Sequence, residues 1–215
     1  MLRAAAFLLL LIPASARAAE DFYDSTFVPE ENCGICHGAD GNSVTQRFPR
    51  LAGQDPAYLL KELRDFRARR RTNDEAAMTT AVEQLSDDDL TQAAAYFARQ
   101  EPAADVTAKG GGGTAKRADA AQDGNATGAR LFRDGRDGVL ACASCHGSAN
   151  APYLAPRLGG QHAGYVEKQL QDFQTGKRAN DPDGVMRAIA ARLNAGDVAA
   201  VARYVSVLPA GGGSE

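Results

Sequence analysis

Four cysteines, three histidines and three methionines are all that 215 residues offer in the way of soft or imidazole metal ligands. Basic charge is not in surplus either, since the formal net charge is -3 at pH 7. An acidic chain is a poor partner for nucleic acid and supplies no polybasic membrane anchor. Long apolar runs are missing apart from Ala4 to Ile12, which is too short to span a bilayer. Sustained period-two alternation, the mark of a half-buried strand, is absent throughout. The remaining periodicity is helical, and the fold class it predicts is all-α.

The apolar run follows Met1-Leu2-Arg3 and precedes Pro13-Ala14-Ser15-Ala16-Arg17-Ala18. That is the layout of a secretory signal peptide over residues 1–18. Ala16-Arg17-Ala18 fits a small-x-small cleavage site, with Ala14-Ser15-Ala16 as a second one, and cleavage at the first starts the mature chain at Ala19. Removal takes away Arg3 and Arg17 and no acid, which moves the net charge from -3 to -5. Export and the cysteine usage together predict an oxidising compartment, a bacterial periplasm.

All four cysteines fall in two short stretches, Cys33-Gly34-Ile35-Cys36-His37 and Cys142-Ala143-Ser144-Cys145-His146. C-x-x-C-H is the spacing of c-type haem attachment, in which two thiols form thioethers to the porphyrin vinyl groups and the adjacent histidine is held beneath the iron. A thioredoxin-like pair or half of a zinc site is the alternative for one such motif. Neither needs a histidine after each second cysteine, nor the glycine that follows at Gly38 and Gly147. Two covalently bound haem c groups, with Cys33, Cys36, Cys142 and Cys145 as the attachment residues, are therefore expected.

The duplication extends further. Phe48-Pro49-Arg50-Leu51-Ala52-Gly53-Gln54 recurs as Ala155-Pro156-Arg157-Leu158-Gly159-Gly160-Gln161. Tyr58, Leu63, Phe66 and Arg71 recur as Tyr165, Leu170, Phe173 and Arg178, and Met78, Leu85, Asp89 and Tyr96 as Met186, Leu193, Asp197 and Tyr204. Two halves of one ancestral domain are implied, over residues 19–101 and 123–209. Asp55 and Pro56 open a helix with Leu59, Leu63 and Phe66 on one face. Ser86 with Asp89, and Asn194 with Asp197, form capping boxes for a second helix in each half. Residues 102–122, with four consecutive glycines from Gly110 to Gly113, predict a flexible linker of roughly 25 Å root-mean-square span that lets the halves separate unless an interface holds them. Residues 210–215 are expected to form a disordered tail.

Iron in such a site takes a further ligand. Met78 and Met186 occupy equivalent places, each on a predicted loop ahead of the final helix and about forty residues beyond its haem histidine. The usual role of a methionine is to fill core gaps; the repetition points instead to thioether ligation, giving His37 with Met78 and His146 with Met186. A closed sixth position favours electron transfer over oxygen or peroxide chemistry, so no small-molecule substrate is expected and the chain is read as a carrier rather than an enzyme. The carbonyls of Pro49 and Pro156 can accept from the histidine rings or simply mark rigid turns. His162, at a helix start, is expected to cap or to lie on the surface. Arg67, Arg69, Arg70 and Arg71 suit a solvated helix face, with a docking patch, or a propionate clamp by Arg71 and Arg178, as the sharper alternatives.

With both C-x-x-C-H motifs, both P-R-L-x-G-Q blocks, both methionines and both final helices in place, Asn32 to Gln100 and Gly128 to Leu208 resemble the diheme cytochrome c4 family. The resemblance implies two tandem cytochrome c-like domains, redox partner proteins of a respiratory chain (a quinol-oxidising complex and a terminal oxidase), and loose membrane association in some members. The first half has only Asp21 to Glu31, interrupted by Pro29, at the place of the opening helix that Gly128 and Phe132 mark in the second. Arg69 stands where the second half has Gly176. Two alternatives keep the haems: a subunit bound to a dehydrogenase, such as a flavoprotein oxidising sulfide, and a diheme peroxidase.

Overall fold

The computed structural model describes residues 27–103, 118–147 and 152–210. The signal peptide, most of the predicted linker and all but the first residue of the tail lie outside them. Ten helices occur among the described residues: α1 Pro29–Asn32, α2 Gly34–His37, α3 Pro56–Arg67, α4 Ala77–Val82, α5 Asp87–Ala98, α6 Ala118–Arg133, α7 Ala143–His146, α8 Ala163–Thr175, α9 Val185–Ala190 and α10 Ala195–Ser206. No strand is found there, only one isolated bridge between Arg136 and Val139.

The capping chemistry is where the sequence places it. Asp55 accepts from Tyr58 N at the start of α3, and both capping boxes close, Ser86 with Asp89 on α5 and Asn194 with Asp197 on α10. In the second half α6, α8 and α10 surround one apolar core containing Phe132, Val166, Leu170, Phe173, Val198, Val201 and Val205. Gly128 lets α6 lie directly on α10, since a Cβ there would come within 2.3 Å of Ala200 O. In the first half α3, α4 and α5 enclose two smaller clusters, around Leu59, Ala94 and Phe97 and around Phe66, Val82 and Leu90, which share Leu60 and Leu63.

Two expectations change. α6 begins at Ala118, so the last residues of the predicted linker are helical. The halves also do not stand apart. Their P-R-L-x-G-Q blocks clasp each other with two-fold reciprocity, the arrangement of an isologous interface. Arg50 N donates to Gln161 Oε1 at 3.0 Å and Arg157 N to Gln54 Oε1 at 2.9 Å. Gln161 Nε2 and Gln54 Nε2 return bonds to Arg50 O and Arg157 O at 3.0 and 2.9 Å. The arginine side chains reach across to Gly160 O and Gly53 O. Buried backbone groups that no helix satisfies are thus paired between the domains rather than with water.

Candidate metal centres

Each C-x-x-C-H motif folds into a single helical turn, α2 or α7, so that both cysteines and the histidine project from one short segment. All four thiols are free. Cys33 packs on the Leu59, Ala94 and Phe97 cluster, and Cys142 on the C-terminal core. Burial, with a smaller push from the neighbouring cysteine in the case of Cys33, raises both of these thiols to about 11.

The histidines are held by the proline carbonyls. His37 Nδ1–H donates to Pro49 O at 2.9 Å and His146 Nδ1–H to Pro156 O at 2.8 Å. Burial lowers both imidazole pKa values and the carbonyl bonds only partly oppose it, so the rings are kept neutral. A neutral ring protonated on Nδ1 presents an Nε2 lone pair, the form a metal requires. Of the two roles open to Pro49 and Pro156, the structure selects acceptance from the ring.

Met78 and Met186 differ from expectation in one respect, since each is the second residue of a short helix, α4 or α9, rather than a loop residue. The loop before each helix is capped from an aspartate, Asp74 or Asp181. Met186 borders the same core as Cys142, whereas in the first half Cys33 packs on the Leu59, Ala94 and Phe97 cluster and Met78 on the Phe66, Val82 and Leu90 cluster, the two being linked through Leu60 and Leu63, which pack on both. Free thiols, a neutral imidazole and a thioether among the apolar side chains of each half fit a haem. Among the described residues no group of three or more His, Cys, Asp or Glu side chains is placed to hold a metal ion.

Between the halves lies a buried polar cluster that sequence reasoning largely missed. Arg71 and Arg178 are 5 % and 6 % exposed and lie over the rings of Phe66 and Phe173, 4.5 and 4.7 Å from the centroids. Arg71 donates to Glu62 at 2.7 Å, to Tyr165 OH at 3.0 Å and to Gln169 Oε1 at 3.0 Å. Arg178 donates to Gln169 Oε1 at 2.9 Å and to Tyr58 OH at 3.4 Å, and pairs with Glu62 at 3.2 Å. Asn73 and Asn180 cross over to Asp172 and Asp65. Arg71 is thus no member of a solvated face, although Arg67, Arg69 and Arg70 do make ion pairs near the surface with Asp87, Glu83 and Asp65. The cluster is two-fold in every partner but one, because Glu62 faces Gln169. The signal in the sequence was the recurrence of Tyr58 and Arg71 as Tyr165 and Arg178, the tyrosines on helices whose other repeated positions are apolar and the arginines just beyond the ends of those helices.

His162 also departs from expectation. It occupies the N-cap position of α8 without making a side-chain cap bond, is buried, and donates from Nε2 to Ser43 O of the other half at 2.9 Å.

Two thiol-histidine turns, one in each half, are the equipment of a c-type haem protein with two irons. The cytochrome c family model matches residues 25–100 and 125–209, one match on each half. Cytochrome c4 of Pseudomonas aeruginosa is 45% identical over 186 residues, 82% of this chain and 83% of that protein. The crystal structure of reduced recombinant cytochrome c4 from Pseudomonas stutzeri superposes with a TM-score of 0.66 at 37% identity, covering 84% of this chain and 96% of that one. A protein of Stutzerimonas stutzeri named thiosulfate dehydrogenase electron acceptor is 36% identical over 80% of this chain and 76% of its own length. The chain belongs to the diheme cytochrome c4 family within the cytochromes c. It is accordingly an electron-transfer cytochrome with two covalently bound haem c groups.

Proposed function

We propose that the protein is a periplasmic carrier that takes electrons from a quinol-oxidising complex and delivers them to a terminal oxidase. Cys33 and Cys36 hold one porphyrin and Cys142 and Cys145 the other, with His37 and Met78, and His146 and Met186, as axial ligands. Haem supplies a one-electron couple, and the histidine-methionine pair sets that couple high. The protein's own contribution is to fix the rings through Pro49 O and Pro156 O and to keep the thioethers in apolar surroundings. The observation that carries the proposal is that each half holds a carbonyl-anchored neutral imidazole beside two thiols and packs one methionine on its apolar side chains.

Carbon monoxide tests it. Reduced wild-type protein should bind carbon monoxide negligibly, whereas Met78→Ala or Met186→Ala should bind it at half the total haem and lower the potential of one haem only. Stoichiometric binding by the folded wild-type protein would overturn the closed-site carrier in favour of a peroxidase.

A second partner is favoured by the relative named as an electron acceptor of thiosulfate dehydrogenase. On that reading the donor is a sulfur-oxidising dehydrogenase. Copurification of the native protein with such an enzyme, and its reduction by that enzyme's substrate, separates this from the quinol route.

A further inference from the structure

The two methionine-bearing arms share one plan and are finished differently. Each runs from an aspartate, Asp74 or Asp181, through two residues of positive φ into the helix that carries the methionine. In the C-terminal arm Asp181 is fully engaged, since Oδ2 accepts from Arg187 N at 3.0 Å and Oδ1 from Arg187 Nε at 2.8 Å. In the N-terminal arm Asp74 Oδ2 accepts from Met78 N at 2.6 Å and Thr79 N at 3.0 Å, while Oδ1 is buried with no hydrogen-bond partner among the described residues. Thr79 occupies the place of Arg187 and offers no charge to that oxygen.

The backbone differs in the same sense. Immediately before the helix stands Gly184 at φ 70° in one arm and Ala76 at φ 65° in the other. Glycine adopts the left-handed region freely, whereas alanine sets its Cβ against the backbone there. A buried oxygen without a donor and a left-handed alanine both raise the energy of the closed N-terminal arm. Both are relieved when that arm swings out and water reaches Asp74.

We infer that Met78 is the displaceable one of the two methionines, so that in the oxidised protein the N-terminal half admits a compact electron-pair donor of the imidazole class while the C-terminal half stays closed. This rests on the axial-ligand assignment above.

The experiment mixes excess imidazole with the ferric holoprotein and follows loss of the thioether-to-iron absorption band. Two phases of equal amplitude are expected, about tenfold or more apart in rate, a ratio set by strain of this kind. The faster should be missing from Met78→Ala and the slower from Met186→Ala. The double variant Gly184→Ala/Arg187→Thr gives the C-terminal arm the alanine at the left-handed position and the threonine after the methionine that the other arm has. A Cβ at residue 184 would meet only the Arg187 side chain, at 3.2 Å, which this variant lacks. Its slow phase should accelerate by about tenfold, and Ala76→Gly should retard the fast phase of the wild type by a similar factor. Circular dichroism and haem content establish folding, and Ala76→Gly, which relieves a left-handed alanine, keeps the test decisive if the double variant does not fold. Equal rates in the wild type, or a fast phase that survives in Met78→Ala, overturn the inference. If neither methionine variant removes half of the band from resting ferric protein, the ligand assignment has failed and the inference falls with it.

Discussion

Among the described residues Glu62 is the one acid in direct ion pairing with both interface arginines, and its neighbours decide its charge. Burial favours the neutral acid, but Arg178, Arg71 and Lys61 outweigh it and lower the pKa from 4.5 to about 2. A carboxyl depressed on folding adds stability that is complete above its unfolded pKa and is lost as pH falls through its folded one. Unfolding free energy should therefore be level down to pH 4.5 with respect to this group and decline from there toward pH 2. Glu62→Gln, which copies Gln169, should remove most of that decline. At neutral pH it should cost about 3 kcal/mol, the loss typical when one partner of a buried pair is stripped away. Denaturant titrations of both proteins from pH 7 to pH 3 check this, and parallel pH profiles would contradict it.

At the scale of elements the repeat offers an internal control on backbone strain. α3 ends in a left-handed residue, Arg69 at φ 55°, where α8 ends in Gly176 at φ 72°. The unequal residues do not change the geometry, so tertiary context imposes the turn and arginine carries its strain. Arg69→Gly should stabilise the N-terminal half by about 1 kcal/mol, since the pair it forfeits with Glu83 is exposed and 3.4 Å long. Nothing lies within 4 Å of a Cβ at Gly176, so Gly176→Ala should cost about the same through the backbone alone. Thermal unfolding of the two variants should shift in opposite directions. Comparison of this kind was open to the sequence, because caps, thiol motifs and apolar faces are local signals and Asp55, Ser86 and Asn194 act as their residue types require. The methionine helices were not legible. α4 and α9 are six residues each, their N-cap residues Ala76 and Gly184 carry no capping side chain, and the N–H groups of their first turn are accepted instead by Asp74 and Asp181 from before left-handed turns. The roles of Arg50, Gln54, Arg157 and Gln161 were hidden for a related reason, since hydrogen bonds across a hundred residues leave no trace in local pattern.

For the whole molecule, the covalent connection between the halves permits separation without causing it. What holds the halves is the reciprocal clasp of Arg50, Gln54, Arg157 and Gln161, the Glu62 and Arg71 cluster, and His162 on Ser43. The covalent connection contributes effective concentration, which cutting abolishes without removing any contact. A cleavage site engineered between residues 104 and 117 should therefore yield a nicked protein that still runs as one species in gel filtration at micromolar concentration and separates into two haem-bearing fragments only on dilution. Arg50→Ala/Arg157→Ala should leave the uncut protein a single species, yet let the nicked protein fall apart at concentrations where the parent stays whole. Each of these arginines supplies a backbone donor that alanine keeps and a side-chain donor that it loses, leaving Gly160 O and Gly53 O without their partners across the interface. Release of free fragments from nicked wild type at high concentration, unaffected by the arginine substitutions, would mean that the clasp does not hold the halves in solution.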